Sequence, residues 1–217
     1  MPYEFDLPRA IEHLGSQFER ALPVLFLGAG FSLAASNLDG TSSIPSVEQL
    51  KKQLWALCFP GEDYAPSTSL QNLFESSLRL HRNDASEMLR RLLTVNSDTL
   101  PDWYESYFAF PWARTYTLNI DDLPRAASRK FGLPRALNLI SALRDPLEQS
   151  QSNGRPHLDV VHLNGDIDGI PDFVTFSTTQ YAERLARPEP WYLRLVSDLV
   201  SRPFVFVESE VAHQAIE

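Results

Sequence analysis

Cysteine is nearly absent from this sequence: Cys58 stands alone among 217 residues. A single thiol excludes a disulfide within the chain and any zinc site built from several cysteines. It reads as a buried apolar residue. Positive charge is also scarce, with 19 Lys and Arg against 28 Asp and Glu and a net charge of −9. That balance argues against a broad basic face, so direct nucleic-acid binding by this segment is not expected. No run of about 18 apolar residues occurs, and no membrane span is expected. The N-terminal residues MPYEFDLPRA are acidic, contain proline and lack a signal-peptide pattern. A cytoplasmic location is the resulting expectation. Repeats and low-complexity linkers are missing too. What remains is ordinary for one globular domain, with 43% hydrophobic and 22% charged residues.

The most informative stretch is PVLFLGAGFS at 23–32. Pro23 suits a strand start, and Val24 to Leu27 form an apolar run of the kind buried on both faces of a parallel sheet. Gly28, Ala29 and Gly30 then strip side chains from the turn. Phe31 to Ala35 are expected to continue as the first turns of a helix. Strand, glycine turn and helix start together make an anion site, through free N–H groups and the helix dipole. The same ten residues also fit a tight turn that binds nothing, because Leu33 occupies the third small position of a dinucleotide fingerprint.

Two further stretches end strands in polar residues. Residues 114–118 alternate like a strand and lead into Asn119, Ile120, Asp121 and Asp122. Polar groups at the carboxyl end of a buried strand lie where open α/β sheets bind ligands; the alternative is an Asx turn leading into the helix at 123–131. In HLDVVHLNGDID at 157–168, Val160 and Val161 suit a strand, with His162 near its end before the Gly165 turn. His157 is expected at the surface.

Helices are expected at 8–20, where Ile11, Leu14 and Phe18 share a face, and from Val47 to about Phe59, capped by Ser46. A long helix over about 70–95 is expected to break near Asn83 and Asp84, with Arg90 and Arg91 as a solvated pair. The aromatic-rich segment 101–111 reads as packing, and 123–131 as a helix. Residues 135–147 stay ambiguous, and 148–156 read as a polar loop. Thr178 or Thr179 is expected to cap a helix reaching 187. A helix over 190–201 precedes a buried strand, FVFV, at 204–207. The alternation implies an α/β fold: a Rossmann-like, mostly parallel sheet with helices on both faces.

Taken together, GAGFS at 28–32, TLNID at 117–121 and HLNG at 162–165 resemble the sirtuin family in its wide sense, the SIR2-like domains. The phrases WARTYTLNIDDL and HLNGDI followed by TFSTTQYAE look like the SIR2-like domains of bacterial antiphage defence proteins. The resemblance spans about residues 20–207. It implies one SIR2-like domain over 1–217 with a helical insertion at about 46–110. It implies NAD⁺ as substrate, with Gly28, Ala29, Gly30, Phe31 and Ser32 near the pyrophosphate and its ribose. Thr117, Asn119, Ile120 and Asp121 match the segment around the nicotinamide ribose and amide. His162 matches the catalytic base, with Asn119 positioning ribose or water. Ser209 matches a small polar residue beside the adenosine ribose.

The chain departs from the family in two places. Sirtuin deacylases hold zinc with four cysteines; with one cysteine here, no zinc is expected and NAD⁺ hydrolysis is favoured over deacylation. The family also places glycine after the last strand, where this chain has Val207, Glu208 and Ser209. A carboxylate there crowds the ligand, and Asp166 and Asp168 add negative charge near the catalytic turn. The implied activity is an NADase effector of antiphage defence; the alternatives are a silent NAD- or ADP-ribose-binding or assembly module and, behind it, a protein deacylase or ADP-ribosyltransferase. The implied partners are further copies of the chain or a sensor or nucleic-acid-guided module. The abrupt end at Glu217 reads as part of a longer protein.

Overall fold

A computed structural model describes residues 6–38, 40, 42–147, 156–185 and 189–207. Five strands form one all-parallel sheet: β1 (Val24–Leu27), β2 (Arg114–Thr117), β3 (Ala136–Ser141), β4 (His157–His162) and β5 (Phe204–Val207). Their order across the sheet is β3-β4-β2-β1-β5. The helices are α1 (Leu7–Arg20), α2 (Val47–Cys58), α3 (Leu70–Leu93), α4 (Trp103–Ala109), α5 (Leu123–Lys130), α6 (Thr178–Leu185) and α7 (Pro190–Ser201). The fold is α/β and Rossmann-like, with helices covering both faces of the sheet.

Side chains alternate between the two faces, and each face has its own core. Leu25, Leu27, Leu158 and Val160 pack with residues of α2, α3, α4 and α5. Val24, Phe26, Tyr116 and Val161 pack against Trp191 and Leu195 of α7. On the α7 side Arg114 pairs with Asp198, which also accepts from the Tyr116 hydroxyl at 2.8 Å. This buried network ties the start of β2 to α7.

Local signals set most boundaries. Ser46 and Gln49 form a reciprocal capping box at α2, and Cys58 is buried, which pushes its thiol pKa up. Several expectations need correction. After β1 the chain makes only a short 3₁₀ turn, Ala29–Ser32. An α-helix needs the Phe31 carbonyl for Ala35, but the Tyr104 hydroxyl takes it at 2.6 Å and Ala35 N–H turns to Ser32 at 3.0 Å. The kink in α3 falls at His81 (φ −144°, ψ 47°), ahead of Asn83. Ser177, not Thr178 or Thr179, caps α6: its hydroxyl accepts from Gln180 N–H at 3.1 Å, and Gln180 Oε1 accepts from Ser177 N–H at 2.9 Å.

The ambiguous segment contains β3, an edge strand. β5 is the opposite edge and only half-buried, because nothing pairs with its outer side among the described residues. On α1, Phe18 reaches Phe110, while Ile11 and Leu14 are exposed. Arg90 is not simply solvated, since it donates to the Ile170 carbonyl. His157 is half-buried, 3.2 Å from Asp159. The expected loop at 148–156 lies outside the described residues except for Pro156. Among the described residues no helix is long and apolar enough to cross a membrane.

Candidate functional site

Parallel register assembles the site. Leu27 stands opposite Thr117, and Thr117 opposite His162. These three residues end β1, β2 and β4, so they form one row at the carboxyl edge of the sheet. In-register residues of parallel strands face the same side, here that of α5. The row opens into a small, water-sized cavity lined by Leu27, Phe31, Ser32, Thr117, Asn119, Asp121, Leu123, Pro124 and His162. Three segments distant in the chain therefore meet in one pocket.

The polar groups inside it bond to one another. His162 is buried, and its Nδ1 lies 2.9 Å from the Asn119 carbonyl oxygen. A carbonyl only accepts, so Nδ1 carries a proton; whenever the ring is neutral, the lone pair is on Nε2. The Asn119 side chain donates through Nδ2 to the Gly28 carbonyl at 2.9 Å and the Ser32 hydroxyl at 3.0 Å. Its backbone N–H donates to Thr117 Oγ1 at 3.0 Å. Asn119 thus bolts the end of β2 to the turn after β1.

Asp121 is 4% exposed. Burial pushes its carboxyl pKa above the usual range; hydrogen bonds from Ser32 and from Leu123 N–H, the latter 3.1 Å, and the nearby His162 act against that. Burial likewise raises Asp122, which accepts from Val95 N–H at 2.7 Å. Asp121 thus accepts from the first residue of α5, whereas Asp122 bonds to Val95 just beyond α3 and makes no side-chain capping bond to α5.

Phe31, Ser32, Thr117, Asn119, Asp121 and His162 come together in the pocket. Gly28, Ala29 and Gly30 do not line it: Gly28 is buried, and its N–H donates to Val207 at 3.0 Å. Its φ of −102° and ψ of 179° are extended, so no left-handed geometry demands glycine there. The expected anion cradle also loses its helix, because four residues of 3₁₀ turn sum too few peptide dipoles. Ile120 points into the core instead. Ser209, with Glu208, lies outside the described residues.

The feared excess of negative charge is neutralised. Asp166 pairs with Arg144 at 3.1 Å and Asp168 with Arg125, whose hydrogen bond lowers the Asp168 pKa. The turn itself depends on Gly165, with φ +84°. Residue spacing missed the apolar walls Leu27, Leu123 and Pro124. It also missed Tyr104, which with Trp103, Tyr107 and Phe108 surrounds the Phe31 ring in edge-on contacts. The aromatic density of 101–111 was their only signal.

Chemically, the pocket offers a buried imidazole with a preset tautomer, a hydroxyl, an amide oxygen and a carboxyl between apolar walls. Among the described residues no group of three or more His, Cys, Asp and Glu is arranged to hold a metal. No protein-family model matches the chain, and no curated protein matches it.

Proposed function

We propose that this chain is an NAD⁺ glycohydrolase, converting NAD⁺ and water to nicotinamide, ADP-ribose and a proton. The observation carrying this reading is the hydrogen bond from His162 Nδ1 to the Asn119 carbonyl, inside a pocket shared with Ser32 and Asp121. Cleaving the nicotinamide–ribose bond builds positive charge on the sugar, as in other glycosyl cleavages. His162 Nε2 takes a proton from the attacking water as its oxygen bonds to the sugar carbon and nicotinamide leaves. Asp121 presents a carboxyl whose ionised form a cationic sugar favours. The Asn119 amide oxygen accepts from a ribose hydroxyl or from the water. Apolar walls limit stray water.

In this reading the chain acts in antiphage defence by depleting NAD⁺. Assembly with copies of itself, or with a sensor or nucleic-acid-guided partner, switches it on. Two observations favour a second reading, a silent NAD- or ADP-ribose-binding module. The Asn119 Nδ2 donors are spent internally, and the cavity is only water-sized, far below the range of about 300–1,000 Å³ usual for small-molecule sites.

Incubating the purified chain with NAD⁺, alone and with its co-expressed neighbours, separates the readings by chromatography and calorimetry. Equal nicotinamide and ADP-ribose supports hydrolysis. Binding without products supports the silent module. Product that needs an acyl-lysine peptide supports a deacylase.

A further inference from the structure

One guanidinium outside the pocket grips the turn that follows His162. Arg184, in the last turn of α6, has a nearly buried side chain. Its Nη2 donates to the Leu163 carbonyl at 2.6 Å. Its Nη1 donates to Asn164 Oδ1 at 2.9 Å and to Thr175 Oγ1 at 3.3 Å. Its Nε donates to Glu189 at 2.8 Å, and the guanidinium lies 4.1 Å from the centroid of the Tyr192 ring. A planar fork serves several acceptors at fixed angles, which a lysine ammonium does not do.

Those contacts lead back to the imidazole by two short routes. Leu163 is the next residue after His162, so fixing its carbonyl fixes the end of β4. Asn164, held by Arg184 at its oxygen, donates through Nδ2 to the Leu118 carbonyl at 3.2 Å. Leu118 directly precedes Asn119, whose carbonyl receives His162 Nδ1–H. Arg184 therefore braces both ends of the hydrogen bond that sets the His162 tautomer.

We infer that Arg184 is a positioning residue for His162: it holds the 163–164 turn and the 118–119 segment in register so that Nε2 stays the free, basic nitrogen. The inference rests on the proposed role of His162, yet its first test needs no turnover. The ¹⁵N-labelled histidine side chains are observed by NMR in the whole chain at pH 7.5, with His162 assigned by the signals lost in His162→Gln. The wild type shows the Nδ1–H tautomer. Arg184→Ala shows a mixture of tautomers, and millimolar guanidinium restores the single form. Arg184→Lys keeps the charge and does not restore it.

In the NAD⁺ assay, Arg184→Ala lowers kcat about tenfold or more while KM moves less than about threefold. Should Arg184→Ala fail to fold, Asn164→Ala cuts the same route and carries the same tautomer test. A folded Arg184→Ala with wild-type His162 signals overturns the inference. A tautomer change in a chain whose wild type does not consume NAD⁺ upholds the positioning role and rejects the hydrolase reading instead.

Discussion

Replacing Gly165 with alanine tests the geometry of the turn after His162 without presuming any activity. Gly165 sits at φ +84°, and a Cβ built there lies 2.0 Å from the Phe173 carbonyl oxygen and 3.0 Å from Val174 Cα. Left-handed backbone costs alanine about 1–2 kcal/mol relative to glycine. The contact is a second cost, since ordinary approach begins at 3.4 Å and the obstacle is backbone. Residues 173–174 must retreat, breaking the bridge between Gly165 and Val174 and stretching the 2.9 Å bond from Thr175 N–H to Asn164.

Each buried donor or acceptor left unpaired there costs about 1–3 kcal/mol. The expected loss is about 3–5 kcal/mol, a large share of the stability of about 5–15 kcal/mol typical of a domain. For a chain of this size that corresponds to a fall in Tm of roughly 10–15 °C. Urea titration followed by tryptophan fluorescence measures it. Two glycines serve as controls, since a Cβ at Gly132 or Gly15 meets nothing within 4 Å. Gly132→Ala is expected within about 0.5 kcal/mol of wild type. Gly15→Ala, inside α1, is expected to gain about 0.5–1 kcal/mol. A Gly165→Ala midpoint equal to wild type would refute the packing described for this turn.

His162→Ala is expected to lower kcat for NAD⁺ by about 10²–10⁴ while calorimetry still detects NAD⁺ binding; full turnover in a folded variant removes His162 as the base. Asp121 governs a pH response whose sign follows from its raised pKa. Folding is helped by its protonated form, so its favourable contribution is complete below the ordinary carboxylate value of 3.8 and fades as pH rises through the raised folded value. Asp121→Asn removes that decline. Its urea midpoint relative to wild type is therefore expected to rise from pH 4 to pH 7, and a difference independent of pH contradicts a buried, raised carboxyl.

Much of the site was legible because strand ends announce themselves. The run Val24 to Leu27 marks a doubly covered strand, and its glycine turn marks where that strand stops. The polar residues at 117–122 and 162–166 mark two more endings. Other features were hidden for physical reasons. The helix expected after Gly28 is cut short by Tyr104, whose hydroxyl arrives from 73 residues away. No local propensity reports such a competitor. β3 was ambiguous because an edge strand carries a weak apolar pattern, with Ala136 exposed and Leu137, Asn138 and Leu139 half-buried. Sequence alone does not single out Ser177 as the cap, because two threonines next to it satisfy the same preference; only backbone geometry chooses among them.

By itself, the order of residues determined the α/β class, most helix positions and the three strand-end segments, since these depend on periodicity, caps and turns within a few neighbours. Tertiary structure decided the strand order 3-4-2-1-5 and the register that sets Leu27, Thr117 and His162 in one row. It also decided which polar groups are spent on each other, as when Asn119 reaches Ser32 across 87 residues. Register and long-range pairing are settled by contacts that exist only once the chain has closed on itself. An amide, a hydroxyl and an imidazole have several possible partners in a sequence and only one set in a packed core.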